Sequence, residues 1–148
     1  MTPTSAESQP ENNVHAKMRT NEEFRELMRQ RIQQKNWCDL FTAGACYFFA
    51  LVLHEELKLP LFYATQPDST GFEHVFVKRG EHCIDYCGKR PIGLIAKLYA
   101  GWPDEPLHET CPGEIKKKIK EKGFGEDLEK EIYDIAKREF NRRREIYL

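Results

Sequence analysis

The chain has 148 residues, with 23 lysines and arginines against 24 aspartates and glutamates and a formal net charge of -1. That length suits one domain able to bury a core without crosslinks. The balanced charge gives no global pull toward nucleic acid or an acidic ligand, and no apolar run approaches the roughly 18 residues needed to span a bilayer.

In chain order, residues 1–17 (MTPTSAESQPENNVHAK) read as a disordered polar lead, with neither the basic nor the apolar region of a secretory signal. The five cysteines are an odd number, which in the absence of an export signal points to reduced thiols in a cytoplasmic compartment. Residues 18–148 are expected to form a single domain. TNEEFRELMRQRIQQKNW predicts a helix: Thr20 and Glu23 fit a capping box, and Phe24, Leu27, Met28 and Ile32 lie on one stripe. CDLFTAGA is expected to turn the chain. Ala45 to Leu57 is apolar on nearly all sides, so it predicts a central buried helix, with Pro60 at its exit.

LFYAT predicts a short strand, and HVFVK and CIDYC predict the two strands of a hairpin around RGEH. A two-residue turn at Arg79-Gly80 or at Gly80-Glu81 leaves His74 and Asp85 on one face in either case. Val75, Val77, Ile84 and Tyr86 then share the other. PIGLIAKLYAGW predicts a short helix and PDEPLHETCPG a connector. From Glu114 to Leu148 the chain is helical in character, broken at Gly123 to Gly125, with Leu128, Ile132, Ile135 and Phe140 as its apolar stripe. The basic residues of this tail, Lys116 to Lys118, Lys137-Arg138 and Arg142 to Arg144, are interleaved with acids, as on a solvated helix face. The remaining reading is a dock for a protein partner. Nucleic acid is disfavoured, because aromatics are not interleaved with these cations.

Thiol-based acyl transfer needs a thiolate, a base to activate it and a third group to orient that base. A helix N-terminus favours the thiolate. Cys46 is predicted at such a terminus, with His74 and Asp85 on one face of the hairpin to serve as base and orienting carboxylate. The N–H of Cys46 is one oxyanion-hole candidate; Asp39, Trp37 and Gln34 (of the Gln33-Gln34 pair) are the candidates for a second donor. Gly44, Ala45 and Tyr47 are the substrate-cleft candidates.

The stretches GACYFFA and HVFVKRGEHCIDYCG resemble, in order and in element type, the nucleophile segment and the later His and Asp segments of the transglutaminase-like, papain-like cysteine enzymes. The resemblance covers about Phe41 to Gly88. It implies an α+β papain-like/transglutaminase-like core, a central helix packed on a small antiparallel sheet with flanking helices. It also implies a Cys46–His74–Asp85 triad acting on an amide or thioester as a peptidase, amidase, deamidase or acyl transferase. The substrate would be a peptide, a protein or a small amide, with no cofactor. Tyr47 takes a position usually held by Trp. Specificity is expected in the loops TQPDSTGFE and GWPDEPLHE.

Two other readings stand beside this one. The first is a non-catalytic protein-binding module of the same fold, with Cys46 as a small buried apolar residue. The second is a zinc-stabilised module using Cys83, Cys87, His108 and Cys111, which have zinc-ligand chemistry but an unusual first spacing. His54 is expected at the solvent edge of its helix and His82 in the exposed hairpin turn.

Overall fold

The computed structural model describes residues 21–65, 74–100 and 107–148. The lead, Thr20 of the expected capping box and most of both expected specificity loops lie outside the described residues. Among the described residues the chain is α+β, with seven α-helices, one π-helical turn and a five-stranded antiparallel sheet.

The first helix, α1 (Asn21–Gln33), carries Met28 into the core. Next comes α2 (Trp37–Thr42), where a simple turn was expected. Six residues suffice because Asn36 caps them: its side chain accepts from the Asp39 N–H at 3.3 Å. The central helix is α3 (Cys46–Leu57), in which the eight residues from Cys46 to Leu53 are all buried. It ends at Lys58 in the left-handed conformation, with φ 58°, and His54 Nδ1 meets the Leu59 carbonyl at 2.7 Å. His54 is thus half-buried at the helix end rather than simply solvent-facing.

The sheet contains β1 (Leu61–Ala64), β2 (His74–Arg79), β3 (His82–Asp85), β4 (Gly88–Pro91) and β5 (His108–Thr110), in the order β4-β3-β2-β1-β5. The hairpin register pairs Arg79 with His82 and Val77 with Ile84, so its turn is Gly80-Glu81. Extending that register puts Asp85 level with Phe76, one diagonal step from His74. Between β4 and β5 run α4 (Ile92–Ile95) and the π-helical residues Ala96–Ala100.

After β5 come α5 (Pro112–Lys122), α6 (Glu126–Arg142) and α7 (Arg144–Tyr147), with Gly123 (φ 78°) and Gly125 (φ 88°) at the expected break.

Both sheet faces are covered. Val75, Val77, Ile84 and Tyr86 join α3, α5 and α6 in the larger core. Phe76, Cys83, Ala64 and Ile95 form a smaller core on the other face. Aromatic contacts carry much of the larger one. Phe48 meets Phe124 and Tyr133 edge-on, each at 4.9 Å, and Phe49 meets Tyr86 at 5.2 Å. Pairs of this kind add roughly 0.5–1.5 kcal/mol beyond area burial. The stripe Leu128, Ile132, Ile135 and Phe140 is buried, so the tail packs its apolar face on its own chain.

Gly44 closes the approach to α3. Its φ of 136° suits glycine alone, and a Cβ there would lie 2.8 Å from Met28 Cε. Gly44→Ala is expected to lower unfolding stability by about 1–3 kcal/mol. Chemical denaturation checks this; an unchanged midpoint would contradict the packing described.

Candidate active site

Three elements bring the three expected residues together. Cys46 is the first residue of α3, His74 the first of β2 and Asp85 the last of β3. All are buried: Cys46 is 5% exposed, His74 0% and Asp85 3%. His74 Nε2 and Asp85 Oδ2 are 2.7 Å apart. The Cys46 thiol lies close enough to the His74 side chain to help raise its pKa. With Nε2 engaged by the carboxylate, Nδ1 is the ring nitrogen left to serve the thiol. By strand alternation His74 and Asp85 belong to the face of Phe76 and Cys83, and the Phe76 ring lies 5.9 Å from the imidazole. Cys46 belongs to the larger core on the opposite face. The two sides meet because His74 ends its strand, where the head of α3 arrives.

Electrostatics follow from burial and partners. Desolvation pushes the His74 imidazolium down, but the hydrogen bonds to Asp85 and Cys46 outweigh it, and its pKa is raised to about 9. Desolvation pushes the Asp85 carboxyl up, yet His74 and Arg90 together hold it below its ordinary value. Arg90 Nη2 donates to the same Oδ2 that meets His74. The Cys87 N–H donates to Oδ1 at 2.9 Å. Both carboxylate oxygens are therefore engaged, as a buried charge requires.

Arg90 and the Cys87 N–H were not foreseen. Their signal was the hairpin that follows: Asp85 pairs with Gly88, whose φ is 109°, so Tyr86-Cys87 is a turn rather than strand. β4 then returns Arg90 beside Cys83.

The tail secures the same turn. The Tyr86 carbonyl accepts from Arg143 Nη1 and from the Tyr147 hydroxyl, each at 2.8 Å. The Tyr86 hydroxyl donates to Glu139 Oε1 at 2.9 Å. Glu139, only 3% exposed, also accepts from Arg142 Nε and Nη2 at 2.9 and 2.7 Å. Arg142 and Arg143, expected on a solvated face, thus act on Glu139 and Tyr86.

The other expected site residues are placed elsewhere. Asp39 is exposed, and its N–H and carboxylate are both engaged by Asn36. Gln34 is exposed at the end of α1. Trp37 lines a groove of about 530 Å³ with Ile32, Ile135 and Arg138, apart from all three residues of the Cys46–His74–Asp85 set. Ala45 and Tyr47 are fully buried core rather than cleft surface. The space beside Gly44 is filled by Met28 and approached by Arg31 Nη1 at 3.4 Å rather than left for a substrate.

The zinc set is not assembled. Cys83 is buried on β3, Cys87 is exposed, and β5, which carries His108, lies three strands from β3. At about 4.8 Å per strand that is roughly 14 Å. No group of three or more His, Cys, Asp or Glu fit to hold a metal ion occurs among the described residues. No helix there is long and apolar enough to cross a membrane.

Comparison with known proteins leaves the reading to the site itself: no family model, curated protein or solved structure matches the chain.

The His74 shift carries a pH prediction. A folded value near 9 against 6.5 unfolded means that the native state holds the proton more tightly. Its stabilisation is complete below pH 6.5 and is lost as pH rises through 9. Unfolding free energy should therefore fall across that window, with a slope approaching about 1.4 kcal/mol per pH unit. The Cys83 thiol, which burial pushes up to about 12 from 9.0, adds its own loss only above pH 9. Denaturant titrations at successive pH values test this, and a flat profile from 6.5 to 9 would contradict it.

Proposed function

We propose that the chain is a cysteine-nucleophile enzyme of the transglutaminase-like, papain-like kind, acting on an amide or thioester carbonyl. The observation that carries this reading is the His74–Asp85 pair, buried at 2.7 Å, with the Cys46 thiol near enough to act on the same imidazole. The chemistry follows from that order of contacts.

The thiol proton passes to His74, where Asp85 stabilises the imidazolium. The head of the twelve-residue α3 favours the sulfur anion through its dipole. Sulfur attacks the carbonyl carbon, and His74 returns its proton to the departing amine or thiolate. The resulting acyl-enzyme is released by water or by an acceptor amine, with His74 acting again as base. Peptidase, amidase, deamidase and acyl transferase share this first half-reaction.

Iodoacetamide labelling near neutral pH, with mass-spectrometric mapping, tests the proposal. Cys46 is expected to be the fastest of the five cysteines despite its burial, and His74→Ala should slow it by at least about tenfold. If Cys46 reacts more slowly than the exposed Cys111 and is indifferent to His74→Ala, it is a core cysteine and the proposal fails.

A further inference from the structure

Arg90 lies on β4 and pairs with Cys83 in the β3–β4 register, while Asp85 pairs with Gly88. Residues directly opposite share a face, and so do alternate residues along a strand, so Arg90, Cys83 and Asp85 belong to the same side of the sheet. The turn through Gly88, with φ 109°, returns β4 along β3 and brings the guanidinium back to the carboxylate. Arg90 Nη2 donates to Asp85 Oδ2, the oxygen that also meets His74 Nε2 at 2.7 Å. Two groups on one oxygen can be no farther apart than two hydrogen bonds laid end to end, which is about 6 Å. At that range a like charge disfavours an imidazolium.

The carboxylate has other holds. Oδ1 accepts from the Cys87 N–H at 2.9 Å, and Oδ2 keeps His74. The remaining groups on this face bring little charge to the imidazole. Burial pushes the Cys83 thiol up to about 12 and also pushes the Cys87 thiol up, so both are neutral near pH 7. Ala64 of β1 and Ile95 of α4 are apolar, and Cys46 approaches from the head of α3. Lys78 shares the face by alternation, but it lies four residues along β2 from His74, about 13 Å away. Its Nζ sits 5.0 Å from the centre of the Phe62 ring. Among the described residues, Arg90 is thus the cation that shares the carboxylate with the imidazole.

We propose that Arg90 is a positioning residue of this site: as a second cation on Asp85 Oδ2, it limits how firmly the carboxylate holds the His74 imidazolium, so that His74 releases its proton to the departing amine or thiolate. This role rests on the cysteine chemistry proposed above. Asp85 must make His74 basic enough to take the thiol proton, yet an imidazolium held too tightly gives that proton up slowly. Arg90 draws on the same oxygen and so weakens the hold without removing it. It acts through Asp85 and needs no contact with the reacting atoms.

The test titrates the His74 ring by nitrogen NMR in the full chain as wild type, Arg90→Gln, Arg90→Met and Arg90→Lys, with a thermal melt of each. Both neutral variants should raise the midpoint by at least about half a unit above the wild-type value near 9. Arg90→Lys keeps the cation and should stay within about 0.3 unit of wild type. A merely structural Arg90 predicts the opposite sign, because a loosened carboxylate would let the midpoint fall. An unmoved or lowered midpoint in the neutral variants would overturn the assignment. So would a rise in Arg90→Lys equal to theirs, or failure of both neutral variants to fold, which would make Arg90 a structural residue. The cysteine chemistry itself fails by a different result, slow alkylation of Cys46 in the wild-type chain, which no Arg90 variant enters.

Discussion

The hydrogen bond between His74 and Asp85 is the constraint around which the rest is arranged. A carboxylate and an imidazolium taken from water each cost several kcal/mol unless partners replace the lost solvent. Here the replacements are complete on the Asp85 side: His74 and Arg90 at Oδ2, and the Cys87 N–H at Oδ1. The orientation of the imidazole toward Cys46 is a consequence. With Nε2 fixed by Asp85, rotation of the ring would leave a buried charge without its partner, so the thiol meets one defined edge.

That constraint reaches the tail. The turn that supplies the Cys87 N–H is also the point where Tyr86 is held by Glu139, Arg143 and Tyr147. Arg143 stacks over the Tyr86 ring at 4.0 Å as well. The helices beyond Gly125 therefore act on the site through backbone position, one residue from the carboxylate. Asp85 and Tyr86 have separate anchors, in β4 and in the tail respectively.

What was legible in the sequence follows from how strongly side chains encode each element. The all-apolar run of α3, the 3.6-residue stripe of α6 and the alternation of the β2–β3 hairpin are packing signals, and each was read. The strands GKRP and HET were not, because they form the two edges of the sheet. Edge strands are held by backbone pairing, tolerate proline and cations, and need little apolar patterning. α2 was hidden because its stability comes from the Asn36 cap rather than from periodicity. The same distinction governs the site. Cys46, His74 and Asp85 were found because residue type and face suffice. Arg90 depended on the unseen β4, and Glu139 and Arg143 on a tertiary contact more than 50 residues away along the chain. Gly44 was read as clearance for a substrate, whereas its missing side chain makes room for Met28.

The central claim is that Asp85 fixes and charges the His74 imidazole. The direct measurement is the titration of the His74 ring by nitrogen NMR in the wild-type chain and in Asp85→Asn. The account predicts a wild-type midpoint near 9 and a fall of at least about one unit in the variant, because desolvation then acts with less opposition. The same midpoint in both proteins would contradict it.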